Sequence, residues 1–314
     1  MSIGENKQRS LYSYVVPSTP IKKEKKQFSA YAFIAPTTIL FAIFYFYPLI
    51  MSIIDGFRNV NLMGGTGTFA GLHNYKMIFS NGDFLNAFKN TSIYTIAIVL
   101  FGTFIPMVVA VLLNLNIKGK SIYRTLFFLP MVAPSVASAM VFSVLFENDK
   151  TGTINEILSF FHVKPINWLG QASGILPMIA VIIFGIWALI GYNMLLFLAG
   201  LQNISSEYYE AAKLDGASGW SSFWKITFPL LSPTTLFVVV VTVIGGFQVF
   251  DQIYMLTAGG PMNDTTTMVY YIYQSTFVNQ NPGLACAMAT ILFIILLIFS
   301  ILQINISGRN KVEV

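Results

Sequence analysis

The chain has 314 residues, of which 55% are hydrophobic and only 10% are charged, and its formal net charge is +5. A soluble domain with this balance would expose too much apolar surface to water, so the composition indicates an integral membrane protein. The surplus of basic residues does not indicate nucleic-acid binding, because no alternation of aromatic and basic residues accompanies it.

Six segments poor in charge are long enough to cross a bilayer, since a helix needs about 20 apolar residues to span a hydrocarbon core of roughly 30 Å. In chain order they are residues 28–54, 91–116, 125–146, 174–203, 226–250 and 283–307. The short alternating segments typical of membrane β-barrels are not seen. Prolines in the first and third spans remove backbone donors and predict bends or span ends, at Pro36, Pro48, Pro130 and Pro134.

Six spans place both termini on the same side of the membrane, and the distribution of Lys and Arg indicates which side. Thirteen basic residues lie in the two tails and in the second and fourth connections, whereas five lie in the other connections. Because Lys and Arg are retained on the cytoplasmic side, both termini are predicted to be cytoplasmic.

No pattern in the sequence indicates catalysis or metal binding by this chain. Cys286 lies inside the last span, and His73 and His162 lie far apart in two connections without metal-ligand spacing. Residues 119–121 (Gly-Lys-Ser) resemble the end of a phosphate-binding loop, but Asn114 stands where that loop needs a glycine. We therefore expect no catalytic residues, no metal ligands and no ATP site in this chain.

The polar interval between the fourth and fifth spans carries the most information. A serine cap followed by Glu207 and Glu210 predicts a short helix with both carboxylates in its first turn, where they suit the positive end of the helix dipole. Gly216 is expected to interrupt this helix, a second short helix is predicted over residues 220–225, and Pro229 marks the start of the fifth span. Physical chemistry alone describes a helical loop lying at the membrane interface.

The same loop has the spacing Glu-Ala-Ala, three residues, Gly, nine residues, Ile, two residues, Pro. The positions are Glu210, Ala211, Ala212, Gly216, Ile226 and Pro229. This spacing resembles the signature of the permease subunits of binding-protein-dependent ABC importers. The chain departs from it conservatively at Phe228, where many members have Leu. Residues 69–75, 90–91, 123–130 and 250–261 are also similar to the carbohydrate-uptake branch, in particular to the maltose-type first permease subunit and the corresponding glycerol-3-phosphate subunit.

The resemblance covers residues 28–307 and implies an all-α polytopic membrane protein with six transmembrane helices in the ABC importer type I (MetI-like) permease fold. It divides the chain into a cytoplasmic N-terminal tail (1–27), a first transmembrane helix (28–54), a permease core of five helices (91–307) and a cytoplasmic C-terminal tail (308–314). A cytoplasmic coupling loop is expected at residues 204–229. The implied location is the inner, or cytoplasmic, membrane of a bacterium.

The function implied by the resemblance is that of half of a translocation pathway. The implied partners are a second permease subunit that forms a heterodimer with this chain, two copies of an ABC ATPase, and an extracytoplasmic solute-binding protein that delivers the substrate. ATP and Mg²⁺ would be bound by the ATPase, so this chain would be non-catalytic and hold no cofactor. The six signature residues would couple it to the ATPase, with Glu210 meeting an arginine there.

Candidate substrate-path residues are uncharged polar and aromatic groups in the fourth and fifth spans, which either bond neighbouring helices or line a water-filled cavity. They are Trp187, Tyr192, Asn193, Thr242 and Gln248. The maltose-type subunit has a tyrosine at the position matching Tyr192 in its sugar site, which favours this residue.

The expected substrate is a sugar. A neutral oligosaccharide is favoured, because the spans contain essentially no Lys or Arg between their ends. Glycerol-3-phosphate or a polyol is the alternative substrate. An ion-coupled secondary transporter is the alternative mechanism, although neither inverted repeats nor intramembrane carboxylates support it.

Overall fold

The computed structural model of the protein describes residues 28–60, 67–149, 152–170 and 174–309. The chain divides into two units, Met1–Ile50 and Met51–Val314. The N-terminal tail predicted at residues 1–27 lies outside the described residues, as do residues 310–314 of the predicted C-terminal tail.

The described part of the first unit is helical. Helix α1 (Phe28–Phe41) is followed by a π-helical turn (Ala42–Phe46) and by α2 (Tyr47–Asp55), which crosses the boundary at residue 50. These elements contain a candidate membrane span, Tyr31–Asp55, which agrees with the first predicted span. Its side chains between Tyr31 and Tyr47 are mostly apolar, and all but Ala35 are exposed, a pattern expected of a membrane-spanning helix.

The second unit contains almost only helices. Two short strands, β1 (Arg58–Asn59) and β2 (Thr68–Phe69), pair antiparallel with Arg58 opposite Phe69. The helices are α3 (His73–Ser80), α4 (Gly82–Asn114), α5 (Lys120–Val132), α6 (Ser135–Leu145), α7 (Thr153–Phe160), α8 (Leu176–Gln202), α9 (Ser206–Leu214), α10 (Gly219–Ser222), α11 (Phe228–Leu230), α12 (Ser232–Phe247), α13 (Met268–Tyr273) and α14 (Pro282–Arg309). Three π-helical turns lie at Phe223–Thr227, Ile253–Thr257 and Gln274–Val278. The predicted all-α class is confirmed.

Four of the described helices are long and apolar enough to cross a membrane in one piece, and two further spans are bent. The straight candidates are Tyr31–Asp55, Gly82–Asn114, Leu176–Gln202 and Pro282–Gln303. Helices α5 and α6 meet at an angle of 100°, and the segment Gly219–Leu230 meets α12 at 65°. The predicted number of six spans is obtained when each bent pair counts as one.

The structure changes two of the predicted spans. The third, predicted over residues 125–146, is broken at Ala133 and Pro134, because both residues are extended and Pro134 has no N–H to continue the helix. The second begins at Gly82 rather than at residue 91, because the side chain of Asn81 caps the helix by accepting a hydrogen bond from the Asp83 amide at 2.9 Å.

The core of the second unit lies where α8 packs against α4, α5 and α12. Glycine permits the closest approach, because a Cβ atom on Gly191 of α8 would lie 2.5 Å from the carbonyl oxygen of Phe127 in α5. Likewise, a Cβ atom on Gly185 would lie 2.3 Å from the hydroxyl of Tyr94 in α4. Small residues at helix contacts are typical of membrane bundles, where van der Waals packing replaces the hydrophobic effect between helices.

Helix α4 also anchors the long connection between α12 and α14. Asn90 donates from Nδ2 to the carbonyl oxygens of Asn263 and Thr266 at 2.9 and 3.1 Å. The hydroxyl of Thr91 accepts a hydrogen bond from the amide of Met268 at 2.9 Å. We call the end of the bundle that holds residues 203–231 the loop end. All of these contacts lie at the opposite end. The connection is therefore fixed to the bundle by two adjacent side chains of α4.

Asn155 of α7 organises the connection between α6 and α8. Its side chain is 1% exposed, and Nδ2 lies 2.9–3.1 Å from the carbonyl oxygens of Glu147, Asp149 and Ile166. Its Oδ1 accepts from the Ile166 amide and the Trp168 indole. A single buried amide thus ties together both halves of the connection.

We expect Asn155→Ala to open this connection, because three backbone carbonyls and two donors lose their partner in a buried place. Limited proteolysis should cut the variant within residues 147–170 at least ten-fold faster than the parent protein, from a loss of about 1.5–3 kcal/mol. Asn148→Ala is the matched control, since Asn148 is exposed and accepts a hydrogen bond from the Leu169 amide. Equal cleavage of both variants would contradict the assignment.

Candidate functional site

The helix predicted to carry the Glu-Ala-Ala motif is present as α9. The Ser205 hydroxyl caps it by accepting a hydrogen bond from the Glu207 amide at 3.3 Å. Glu207 therefore lies in the first turn, as predicted. Glu210 does not, because it is the fifth residue of a helix that begins at Ser206. The helix dipole, which acts within the first turn, gives no structural reason for a carboxylate at position 210.

Gly216 ends α9 in the conformation that favours glycine. Its φ is +75°, and its amide donates to the carbonyl oxygen of Lys213 at 3.1 Å. The next amide, of Ala217, donates to the carbonyl oxygen of Ala212 at 2.9 Å. These two bonds form the Schellman motif, in which a left-handed residue closes the helix and satisfies its last carbonyls. The predicted interruption at Gly216 is confirmed.

The second part of the loop, residues 219–230, is helical and leads through a bend into α12. Residues 219–230 are helical through α10, a π-helical turn and α11, and the bend occurs at Leu231, which is fully buried. Four rings, 5.1–6.4 Å apart between neighbouring centroids, stiffen this segment: Trp220, Phe223, Trp224 and Phe228. The straight part of the fifth span, α12, therefore starts at Ser232, three residues after Pro229.

A hydrogen bond joins the two parts of the loop. The hydroxyl of Tyr209 in α9 lies 3.1 Å from the hydroxyl of Thr227, which is buried and immediately precedes α11. Because the chain continues from Thr227 through α11 into α12, this hydrogen bond connects α9 to the segment that leads into a candidate span.

The opposite side of α9 is open. Glu210 and Ala211 are exposed, and Ala212 is half-buried. Leu214 is 90% exposed. Of the two remaining motif residues, Ile226 is half-buried and Pro229 is exposed. The loop thus presents a small mixed surface of apolar and acidic side chains at the loop end.

Substitution of Gly216 tests the geometry of the loop. In Gly216→Val a β-branched residue must adopt a positive φ, at a cost of about 1–2 kcal/mol, although space for its Cβ is available. Hydrogen exchange at residues 213–217 should accelerate roughly ten-fold, and Gly216→Asn should change it less. Gly219→Val is the matched control, because Gly219 has equal space and an ordinary φ. Equal exchange in both valine variants would contradict this account.

Two of the five predicted substrate-path residues form a polar contact between helices. Asn193 of α8 is completely buried, and its Nδ2 donates to the carbonyl oxygen of Gly102 in α4 at 2.7 Å and to the Thr242 hydroxyl in α12 at 3.3 Å. Thr242 is 2% exposed. In this conformation both side chains hold three helices together, the first of the two roles open to polar groups in spans.

The other three predicted residues lie apart from this contact. Trp187 packs against Phe142 and Phe184, with centroid distances of 5.0 and 5.9 Å. Tyr192 is half-buried on α8, and Gln248 is exposed at the end of α12. Of the five candidates, the structure brings only Asn193 and Thr242 into hydrogen-bond contact.

Five aromatic rings beyond α12 form a cluster that the sequence analysis missed. The rings of this five-ring cluster lie 5.2–6.3 Å from their neighbours and are those of Phe250, Tyr254, Tyr270, Tyr273 and Phe277. The cluster spans two segments that are far apart in sequence. The spacing of three and four residues within 270–277 could have indicated an aromatic helix face, but not its contact with Phe250.

The two residues that follow Phe250 of the five-ring cluster are hydrogen-bonded to two different helices. Asp251 accepts a hydrogen bond from the hydroxyl of Ser135, which lies at the break between α5 and α6. Gln252 donates to the hydroxyl of Tyr94 in α4. Among the described residues, no three His, Cys, Asp or Glu side chains lie close enough together to hold a metal ion.

Asn193 and Tyr192 are neighbours on α8, but Asn193 is completely buried and Tyr192 is half-buried, so substituting each in turn tests the packing role of Asn193. We expect Asn193→Leu to lower the melting temperature of the purified protein, since a hydrogen bond between membrane helices contributes roughly 0.6–2 kcal/mol. Tyr192→Phe should leave the melting temperature unchanged, because it removes a hydroxyl from a half-buried side chain without creating a cavity. The reverse order of stabilities would contradict the packing role of Asn193.

Comparison with known proteins agrees with this architecture. Residues 102–311 match the model of a family described as the binding-protein-dependent transport system inner membrane component. The arabinooligosaccharides transport system permease protein AraP of Halalkalibacterium halodurans is 36% identical, over 88% of this chain and 86% of the relative. The sn-glycerol-3-phosphate transport system permease protein UgpA of Agrobacterium fabrum is also 36% identical, over 85% of this chain and 90% of the relative.

A solved structure supports the same conclusion. A chain of the bacterial alginate ABC transporter in complex with an alginate pentasaccharide-bound periplasmic protein superposes with a TM-score of 0.77 at 25% identity, covering 90% of this chain and 94% of that one. These similarities confirm the predicted importer permease fold and the resemblance to the carbohydrate-uptake branch. They also confirm the expectation of a non-catalytic, multi-pass membrane subunit.

Proposed function

The chain belongs to the family of binding-protein-dependent transport system inner membrane components, and from this premise we propose that it is one half of the translocation pathway of an ATP-driven sugar importer. The observation that carries the proposal is the coupling loop, residues 204–229, whose exposed face includes the Glu-Ala-Ala motif and whose buried face is bonded to the fifth span. The chain supplies a moving membrane helix, and partners supply the energy and the substrate.

The proposed energy source is a separate ATPase that binds to the exposed face of α9. Glu210 is the anchoring charge, because it is exposed and lies beyond the turn in which the helix dipole would account for it. It pairs with an arginine of the ATPase, which suits a bidentate contact with a carboxylate. Ala211 and Ala212 permit close approach, and Leu214 supplies apolar contact area.

Transmission follows from the geometry of the loop. Closure of two ATPase copies on ATP and Mg²⁺ displaces α9, and the Tyr209–Thr227 bond and the packed rings carry this displacement past Ile226 and Pro229 into α12. The ligand of the partner thereby shifts the population of inward-open and outward-open states, which requires that the ATPase bind the two states differently. Gly216 keeps the docking helix separate from the transmitting one.

The orientation of the chain follows from its basic residues. With the coupling loop and both tails (1–27 and 308–314) in the cytoplasm, the positive-inside rule is satisfied. The first helix (28–54) and the core (91–307) then lie in the membrane. A second permease subunit completes the pathway, and an extracytoplasmic binding protein delivers the substrate at the opposite end of the bundle.

The proposed substrate is a neutral oligosaccharide. The five-ring cluster lies at the end of the bundle that faces the binding protein, with Tyr254 and Phe277 exposed, and aromatic faces suit the apolar faces of sugar rings. The membrane helices α8 and α12 contain no Lys or Arg with which to hold a phosphate. Tyr192 and Trp187 would contact the sugar deeper in the pathway, and Gln248 near its outer mouth. Asn193 and Thr242 would reach it only after rearrangement of their present contact.

Co-purification tests the proposed coupling. Glu210→Lys should reduce the ATPase retained with the tagged chain at least ten-fold and abolish uptake without reducing membrane insertion, because truncating one partner of a buried charge pair costs about 2–5 kcal/mol. Asp215→Lys is the matched control: it reverses the same charge about 140° around the helix, at the end where a cation is favoured. Full retention of the ATPase by Glu210→Lys would exclude this docking role.

Uptake by intact cells tests the substrate class. Uptake of a labelled neutral oligosaccharide should compete with other neutral oligosaccharides and not with glycerol-3-phosphate, and Tyr254→Ala should lower it more than Tyr254→Phe, which keeps the ring. Transport of glycerol-3-phosphate instead would replace the sugar while leaving the importer class intact. ATP-independent uptake by the chain alone in liposomes would exclude the importer class.

A further inference from the structure

Three rings of the five-ring cluster form a stripe along one face of a single helix. Tyr270, Tyr273 and Phe277 follow one another at spacings of three and four residues, through α13 and the π-helical turn that continues it. Their ring centroids are 6.3 and 5.2 Å apart in this order. At 1.5 Å of rise per residue, this aromatic stripe is about 10 Å long. Because a sugar ring is about the size of one aromatic ring, the stripe can contact more than one sugar unit.

The aromatic stripe runs from the interior of the bundle to its outer end, opposite to the loop end. Helix α13 begins beside Thr91 of α4, whose hydroxyl accepts the first amide of α13. The helix extends toward Asn81, the cap at the outer end of α4, which donates to the hydroxyl of Tyr271 at 2.8 Å. The exposed fraction of the stripe rises in the same direction, from 5% at Tyr270 to 63% at Phe277. The stripe is therefore most accessible at its outer end.

The inner end of the aromatic stripe joins rings deeper in the bundle. The ring of Tyr270 lies 6.2 Å from that of Phe250 and 6.3 Å from that of Tyr254. Phe250 and Tyr273 pack against the same hydrophobic cluster as Trp187, a predicted substrate-path residue. Aromatic side chains thus form a continuous series from the outer surface to a residue inside the bundle.

The opposite face of the same helix holds it in place. Met268, Tyr271 and Ile272 pack in one hydrophobic cluster with Ala285 and Met288 of α14. These positions lie about half a turn away from the aromatic stripe, at 3.6 residues per turn. Contact with α14 is therefore made by other side chains, and the outer rings of the stripe are left for a different contact.

Charge indicates what the aromatic stripe can hold. The sequence has no Lys, Arg or His between Lys225 and Arg309, and Asp251 and Asp264 are the only acidic residues there. This part of the chain therefore offers an anionic substrate no cation with which to pair. The stripe itself is uncharged and combines ring faces with tyrosine hydroxyls. Such a surface suits a neutral molecule that has both apolar faces and hydroxyl groups, which is the chemistry of an oligosaccharide.

The direction of the aromatic stripe favours a sugar chain over membrane lipid. Tyrosines that anchor a protein in the membrane interface form a belt at one depth. The stripe instead extends along the bundle and ends at Tyr270, which is buried. A chain that enters from the outer end can contact each ring of the stripe in turn, whereas a lipid headgroup stays at one depth.

We propose that the aromatic stripe receives a linear oligosaccharide at two or more sugar units at once, and that it thereby gives the importer a preference for chains over single sugars. The inference rests on the proposed function and adds the chain length of the substrate. Phe277 contacts the first unit at the outer surface, and Tyr273 and Tyr254 contact the unit that follows. A single sugar contacts one ring at a time, whereas in a chain the second contact is intramolecular and strengthens binding.

Saturation-transfer NMR of the purified transporter in nanodiscs tests the proposal with glucose, cellotriose and maltotriose as probes. The parent transporter should bind at least one of the two trisaccharides ten-fold more tightly than glucose. Equal affinity for glucose and both trisaccharides would overturn the proposal, and so would the absence of binding by all three sugars.

Substitutions locate the contact. Phe277→Ala and Tyr273→Ala should each weaken trisaccharide binding at least five-fold, whereas Tyr273→Phe, which keeps the ring, should not. Phe79→Ala is the matched control, because Phe79 is 62% exposed, almost as much as Phe277, and lies outside the aromatic stripe. The same loss of trisaccharide binding in Phe79→Ala and Phe277→Ala would contradict the assignment.

Thiol labelling shows what covers the aromatic stripe. Phe277→Cys should react with a water-soluble maleimide in the purified transporter, and the bound trisaccharide should slow this reaction at least five-fold. The parent protein, which retains Cys286, gives the background. Cross-linking of Phe277→Cys to the second permease subunit, or failure of the maleimide to reach it, would overturn the proposal, because another protein or lipid would then occupy the stripe.

The outcome is separable from that of the proposed function. ATP-dependent sugar uptake together with equal binding of glucose and trisaccharides would overturn the preference for chains and leave the importer intact. Failure of the ATPase to co-purify with the parent protein would overturn the proposed coupling, whereas preferential binding of a trisaccharide would still support the role of the aromatic stripe.

Discussion

Hydrocarbon offers no hydrogen bonds, and every polar group of this chain within the membrane must be satisfied by the chain itself or by what binds to it. Helices meet this constraint for the backbone, which explains why strands occupy only four residues of the described chain. Side chains meet it in part through contacts such as the one between Asn193, Gly102 and Thr242, which joins three helices. Oδ1 of Asn193 is nevertheless buried without a hydrogen-bond partner, so this contact satisfies only the donor side of the amide.

Bent spans connect this constraint to function. The fifth span is bent by 65° at Leu231, and in the proposed importer this bend would turn a push on the loop into a rotation of α12. The packed rings of the loop and the hydrogen bond between Tyr209 and Thr227 connect its two parts. The Schellman motif at Gly216 ends α9 and lets the next helix take another direction. In the proposed importer, docking and transmission are assigned to adjacent helices of one short loop.

Several sequence motifs gain a physical reason from the structure. The segment 69–75 contains Asn74, whose buried amide donates to the carbonyl oxygens of Gly56 and Arg58. Asn90 and Thr91 fix the connection that follows α12. Both motifs were read from the sequence only as marks of resemblance, since a side chain that bonds a backbone 173 positions away gives no periodic signal. Asn155 left no signal either, although its partners lie only 6–13 residues away, because irregular backbone gives no periodic pattern.

The sequence by itself determined the membrane class, the first, fourth and sixth spans to within a few residues, and the helix that carries the Glu-Ala-Ala motif with its end at Gly216, because apolar length, capping residues and glycine act locally along the chain. The sequence also predicted a bend or span end at Pro134, where the third span breaks, but it placed Glu210 in the first turn of a helix that begins too early for this. Only the tertiary structure decided that Asn193 and Thr242 face each other, and only the tertiary structure assembled the five-ring cluster. These features depend on which helix faces which, and that choice is made by close packing between segments distant in sequence, about which a linear pattern carries no information.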